Sequence, residues 1–147
     1  MKNNHFKNKV VYQIYPMSFK DSNNDGMGDI QGIIEKLDYL KFLDVDMLWI
    51  TPVYTSPKYD NGYDIADYYN IDSQFGTMDD FDNLIKEAKN REIGIIMDIV
   101  ANHTSTYHEW FKNALNGDKK YQDYYIFRDK SYVDTHPINS IFGGNAW

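Results

Sequence analysis

Gly94-Ile95-Ile96-Met97-Asp98-Ile99-Val100-Ala101-Asn102-His103 is an apolar, β-branched run that gives way to hydrogen-bonding side chains. Residues 94–100 read as a strand buried on both faces, as strands in parallel sheets are. Asp98, Asn102 and His103 then fall at its C-terminal end, the face of a β/α barrel where chemistry is done.

Two similar runs precede it. Residues 10–15 are β-branched and aromatic and stop at Pro16, while Met47-Leu48-Trp49-Ile50 stops at Thr51-Pro52. Helical patterns separate the three. Asp29 is placed to N-cap a helix carrying Ile30, Ile33, Ile34 and Leu37 at helical spacing. Thr77 and Asp80 form a capping arrangement ahead of a stripe of Phe81, Leu84, Ile85 and Ala88. The order β-α-β-α-β predicts an α/β fold with a parallel sheet and right-handed crossovers.

Beyond Asn102 the alternation breaks. Thr106 and Glu109 suggest a capping box for a short helix with Trp110, Phe111 and Leu115, ending near Gly117. The remainder reads as irregular and aromatic, and so long an excursion fits an inserted subdomain better than a loop.

Composition narrows the function. The 147 residues carry a formal net charge of −7, which excludes non-specific nucleic-acid binding as a role. No apolar run is long enough to span a membrane. The chain has no cysteine, and its opening residues lack the apolar segment of a secretory signal. A soluble, cytoplasmic protein is expected. Thirteen tyrosines suit either a core with polar contacts or stacking against sugar rings.

The loop Asp21-Ser22-Asn23-Asn24-Asp25-Gly26-Met27-Gly28-Asp29 places oxygen-bearing side chains at its positions 1, 3, 5 and 9, with glycine at 6. Calcium takes six to eight oxygens, and Asp21, Asn23, Asp25, the Met27 carbonyl and Asp29 can supply most of them. An EF-hand is excluded, because its bidentate Glu would stand where Gly32 is and a strand, not a helix, precedes the loop.

Loops following parallel strands emerge on one side of the sheet. The loop after Tyr15, the loop over residues 51–67 and the Asn102-His103 turn are therefore expected to converge. Asp60 can accept hydrogen bonds from two adjacent sugar hydroxyls, Tyr63 offers a ring face, and His103 can donate to a further hydroxyl. Asp98 and Asn102, nearer the strand, are expected to hold the pocket, with Asp98 needing a cationic or N–H partner.

These stretches resemble segments of the α-amylase family, glycoside hydrolase family 13. The carriers are Val11-Tyr12-Gln13-Ile14-Tyr15-Pro16, Leu48-Trp49-Ile50-Thr51-Pro52, Asp60-Asn61-Gly62-Tyr63-Asp64 and the Asp98 to His103 stretch. The likeness is strongest to its exo-acting α-glucosidase branch, which includes oligo-1,6-glucosidase, dextran glucosidase and trehalose-6-phosphate hydrolase. The C-terminal Ile141-Phe142-Gly143-Gly144-Asn145-Ala146-Trp147 leans toward the last of these. The resemblance implies that residues 1–100 are the first three βα units of a TIM (β/α)8 barrel, and 101–147 the start of the domain inserted after strand three. It implies that Asp60, Tyr63 and His103 line the subsite for the terminal glucose, and that Asp98 and Asn102 support it. It also implies a structural calcium at the 21–29 loop.

The family's retaining mechanism uses two carboxylates about 5–5.5 Å apart. In the family these, and a third aspartate, lie on strands four, five and seven, so no residue here matches them. The expected function is the N-terminal part of a retaining α-glucosidase acting on short α-glucosides or trehalose 6-phosphate. The 147 residues alone are expected to be inactive and poorly folded. The competing reading is an inactive remnant or a calcium- or carbohydrate-binding fragment. Asp44 and Glu92 stand where relatives often carry glycine after a helix, which calls for a positive φ.

Overall fold

A computed structural model describes residues 6–141 and 143–147. In chain order its first elements are β1 (Val11–Ile14), α1 (Pro16–Phe19), α2 (Ile30–Glu35), α3 (Leu37–Phe42), β2 (Met47–Ile50), β3 (Tyr54–Thr55) and β4 (Asp67–Ile71). They are followed by α4 (Met78–Asn90), β5 (Gly94–Met97), α5 (Glu109–Leu115), α6 (Lys119–Gln122) and α7 (Lys130–Thr135). The chain divides into two compact units, Met1–His108 and Glu109–Trp147. Among the described residues no helix is long and apolar enough to cross a membrane.

In the first unit β1, β2 and β5 form a parallel sheet in the order β1-β2-β5. This is the parallel sheet that the β-α-β-α-β pattern predicts. Tyr12, Leu48 and Ile95 share one row and Ile14, Ile50 and Met97 the next. All six join the core formed with Ile30, Ile33, Leu37, Leu40, Leu84 and Ala88 from the helices. Each fully buried Ile or Leu contributes roughly 1.5–3 kcal/mol, so this helix-facing layer dominates over the surface ion pairs. Period-two alternation turns Gln13, Trp49 and Ile96 to the opposite face.

The helix boundaries follow local chemistry. Asp29 accepts the Gly32 N–H at 2.6 Å as the N-cap of α2. Thr77 and Asp80 complete a reciprocal capping box on α4. Pro16 ends β1 and opens α1 at a position where its missing N–H costs nothing. Asp44 and Glu92 take φ of 56° and 58°, the left-handed conformation that their places after α3 and α4 suggested.

Several expectations need correction. The strand expected over 94–100 ends at Met97, and Ile99 is 79 % exposed. All of β5 is half-buried, because it pairs with β2 along one edge only. The first helix breaks at Lys36, whose N–H turns to the Ile33 carbonyl, so Leu37 opens α3; the buried stripe nevertheless survives the break. On α4, Ile85 lies at the exposed edge of the stripe. Helix α5 starts at Glu109, so Thr106 is too far upstream to cap it; Leu115 is exposed and Ala114 is the buried residue. The stretch expected to be irregular carries α6 and α7, capped by Asp118 and Asp129. Within the second unit Trp110 packs edge-on against Tyr124, and Phe111 against Tyr125. The antiparallel pair β3–β4 also went unforeseen, since a two-residue strand shows no alternation.

Candidate functional site

Asp98 follows the last paired residue of β5 and lies on the same face as Ile96 and Trp49. Its Oδ1 accepts the Trp49 indole N–H at 2.9 Å, which is the N–H partner a carboxylate there requires. Its Oδ2 accepts the Tyr63 hydroxyl at 2.9 Å, and its carbonyl accepts the Tyr54 hydroxyl at 3.0 Å. Burial first, and then the bond to Asp98, pushes the Tyr63 hydroxyl up to about 12. Tyr63 therefore stays a protonated donor at neutral pH, with its ring fixed by its own hydroxyl.

The turn carrying Asp60 is built on Asp64. Its carboxylate accepts the Ser56 hydroxyl at 2.8 Å and the N–H groups of Tyr59 and Asp60 at 3.0 and 3.1 Å. Asn61 and Gly62 then take φ of 52° and 95°, conformations that asparagine and glycine tolerate. Lys58, itself at φ 63°, is anchored by an ion pair to Asp72 at 2.9 Å with both side chains largely buried. Tyr15 reaches from the end of β1 to Asn61 Oδ1 at 3.3 Å. Tyr15–Asn61 and Tyr63–Asp98 thus tie the ends of β1 and β5 to the loop after β2, though neither bond involves the Asn102-His103 turn.

Asp60 itself is exposed, and among the described residues its carboxylate has no hydrogen-bond donor. His103 is also exposed, with Nδ1 3.1 Å from the Asn102 side-chain amide. Asn102, expected nearer the strand, is exposed as well and bonds to that ring. The Asp60 carbonyl accepts the Tyr63 N–H at 2.9 Å, but among the described residues no side-chain hydrogen bond joins Asp60 or His103 to the Tyr63–Asp98 pair.

Sequence reasoning missed four supports: Trp49, Tyr54, Asp64 and Tyr68. The Tyr68 hydroxyl donates to the Val100 carbonyl at 2.7 Å and lies 3.0 Å from that of His103. It thus pins the segment that carries His103. Strand parity could have paired Trp49 with Asp98, whereas nothing local marks Tyr68.

In the 21–29 loop three alternate oxygen-bearing side chains, Asp21, Asn23 and Asp25, are each held by a backbone N–H two residues on. Asp21 accepts from Asn23, Asn23 from Asp25, and Asp25 from Met27. The Gly26 N–H, with those of Asn24 and Asn23, keeps the Asp21 carboxyl below its ordinary range despite some desolvation. Asp29 is buried and bound to Ser22 and Gly32. Among the described residues no three His, Cys, Asp or Glu side chains cluster as a metal site. A hard cation here would need the Asn23 amide oxygen and the Met27 carbonyl beside the carboxylates, a donor set of the kind calcium accepts.

A model of the family described as alpha amylase, catalytic domain, matches residues 13–147. The chain belongs to the α-amylase family. Among curated α-amylase relatives, it is 54 % identical over 145 residues to the trehalose-6-phosphate hydrolase of Bacillus subtilis. It is 53 % identical over 145 residues to the oligo-1,6-glucosidase of Heyndrickxia coagulans. Each alignment covers 97 % of this chain and 26 % of the relative, so the chain spans about a quarter of their length. The crystal structure of the Bacillus licheniformis trehalose-6-phosphate hydrolase superimposes with a TM-score of 0.89 at 55 % identity, over 97 % of this chain and 26 % of that one. A MutB variant solved with glucose superimposes at 0.88 with 51 % identity, over 95 % of this chain and 25 % of that one. As an α-amylase family chain it represents part of a TIM barrel, of which β1, β2 and β5 are parallel strands.

Proposed function

We propose that this chain supplies the glucose-holding part of a retaining α-glucosidase acting on short α-glucosides or trehalose 6-phosphate. The observation that carries the reading is the Tyr63–Asp98–Trp49 linkage, which fixes an aromatic ring beside the unpartnered Asp60 carboxylate's turn. Asp60 accepts hydrogen bonds from adjacent sugar hydroxyls, Tyr63 lies against the ring's C–H face, and His103 donates to another hydroxyl. Asp98 positions Tyr63, and Asn102 positions the His103 imidazole. Residues 1–100 are the first three βα units of the barrel, and 101–147 begin the inserted domain. Calcium, held by Asp21, Asn23, Asp25, the Met27 carbonyl and Asp29, supplies charge that stiffens the loop after β1. The acidic, cysteine-free composition supports a cytoplasmic setting.

The nucleophile and acid of the retaining reaction correspond to no residue of these 147. The chain's own contribution is binding and orientation, which lower the barrier only in concert with those carboxylates. The test is hydrolysis of an aryl α-glucoside and of trehalose 6-phosphate by the complete gene product, with Asp60→Asn beside it. Turnover with retained anomeric configuration and a raised KM in the variant is expected; absence of turnover on both substrates overturns the proposal. Saturable glucose binding without turnover would favour the second reading, a carbohydrate-binding piece, which the unmatched carboxylates recommend.

A further inference from the structure

Two tyrosines stand in solvent beside the proposed sugar contacts. Tyr59 precedes Asp60 and is 78 % exposed; Tyr107 lies four residues after His103 and is 51 % exposed. Their ring centroids are 6.1 Å apart at a tilt of 42°.

The pair is held from behind. The Tyr59 N–H is fixed by the Asp64 carboxylate at 3.0 Å. The Tyr107 N–H is fixed by Ser105 Oγ at 3.2 Å, and the Ser105 N–H is bound in turn to the Ile65 carbonyl at 2.8 Å. Two loops are thereby joined, one bearing Asp60 and the other His103.

Solitary exposed aromatics are common on protein surfaces and carry no message. A pair of rings in contact on an ordered backbone is different, because its shape is set before any ligand arrives and binding costs little ordering. Tilted rings offer π-faces to axial C–H groups, and the phenol oxygens offer partners to hydroxyls at the rim. A pyranose presents both. We propose that Tyr59 and Tyr107 form a stacking platform for the second sugar of the substrate, the ring beyond the scissile bond. The inference rests on the glucose site proposed above and extends it outward by one ring.

The test compares glucose with thiomaltose, a sulfur-linked disaccharide that is not cleaved, by calorimetry on the complete gene product. Thiomaltose is expected to bind more tightly. Tyr59→Ala and Tyr107→Ala are each expected to lower the thiomaltose-to-glucose affinity ratio roughly three- to tenfold. Tyr59→Phe, which keeps the ring, is expected to retain most of it. Glucose binding reports that each variant is folded, and if an alanine variant loses it, Tyr59→Leu is read in the same way. A ratio unchanged in both ring-deleting variants, with glucose still bound, overturns the platform and leaves the glucose site standing. Failure of the parent protein to bind glucose overturns the site itself, and the platform with it.

Discussion

The Tyr63 hydroxyl donates to the Asp98 carboxylate at 2.9 Å across 35 residues of chain. This bond fastens the loop after β2 to the end of β5, and it sets the plane of the ring proposed to meet glucose. Trp49 completes the arrangement from the sheet below, so one carboxylate orders an aromatic from each of two segments.

Tyr63→Phe leaves Asp98 Oδ2 without its donor. Because Asp98 is only half-buried and water can replace the bond in part, the expected loss of stability is about 1 kcal/mol. Sugar affinity should fall more than it does for Tyr54→Phe, whose hydroxyl reaches the Asp98 backbone instead. Urea midpoints and glucose titrations of both variants check this; equal affinities would show that the Tyr63 orientation is immaterial.

Glu92 at φ 58° occupies a conformation that an L-residue with a long side chain adopts at a cost. Glu92→Gly should stabilise the fold by about 0.5–1 kcal/mol, and Asp44→Gly by less, because aspartate tolerates that region better. The Lys41–Glu92 contact at 3.6 Å is solvent-exposed and offers little to lose. Thermal melts of the two variants should rank in that order.

Acid should weaken the fold through its paired carboxylates. Burial raises the Asp64 carboxyl, but the bonds from Ser56, Asp60 and Tyr59 outweigh it and hold the group below its ordinary value. The Lys9 ammonium and the Val10 N–H do the same for Asp46. A depressed folded-state value means stability that is complete above the unfolded value near 4 and lost as pH falls through the folded one. The melting temperature should therefore hold level from about pH 7 to 5 and decline below about pH 4. Asp64→Asn should make that decline shallower; an identical slope would remove Asp64 from the account.

Calcium binding at the 21–29 loop would stabilise the folded state by about 2.7 kcal/mol at a hundred times its dissociation constant. Millimolar calcium is thus expected to raise the melting temperature, and a chelator to reverse it. Asp25→Asn keeps an oxygen for the Met27 N–H while removing a charge, so it should suppress the calcium response without undoing the turn. A melting temperature indifferent to calcium in the parent protein would dismiss the site.

Local chemistry was legible because it is written within a few residues. The caps at Asp29 and Thr77 needed only the chain near each of them, while the left-handed positions at Asp44 and Glu92 were marked by the glycine that relatives often carry there. The single-turn helix α1 and the two-residue strand β3 escaped because neither is long enough to repeat a period, whereas the four-residue strands were marked by their continuous apolar runs. Asp118 and Asp129 were cap signals of the same kind as Asp29, but without a clear apolar stripe behind them they passed as loop.

The sequence by itself determined the parallel sheet, the helices that cover it and the loops that would carry polar groups, because apolar periodicity and capping act over one or two turns of chain. Only the tertiary structure decided that Tyr63 and Trp49 share Asp98, that Tyr68 holds the His103 segment, and that Tyr59 meets Tyr107. Those contacts join residues 32 to 49 positions apart in the bonds to Asp98 and the 100–103 segment. Strand register and loop path bring them together, and neither leaves a mark on the neighbouring sequence.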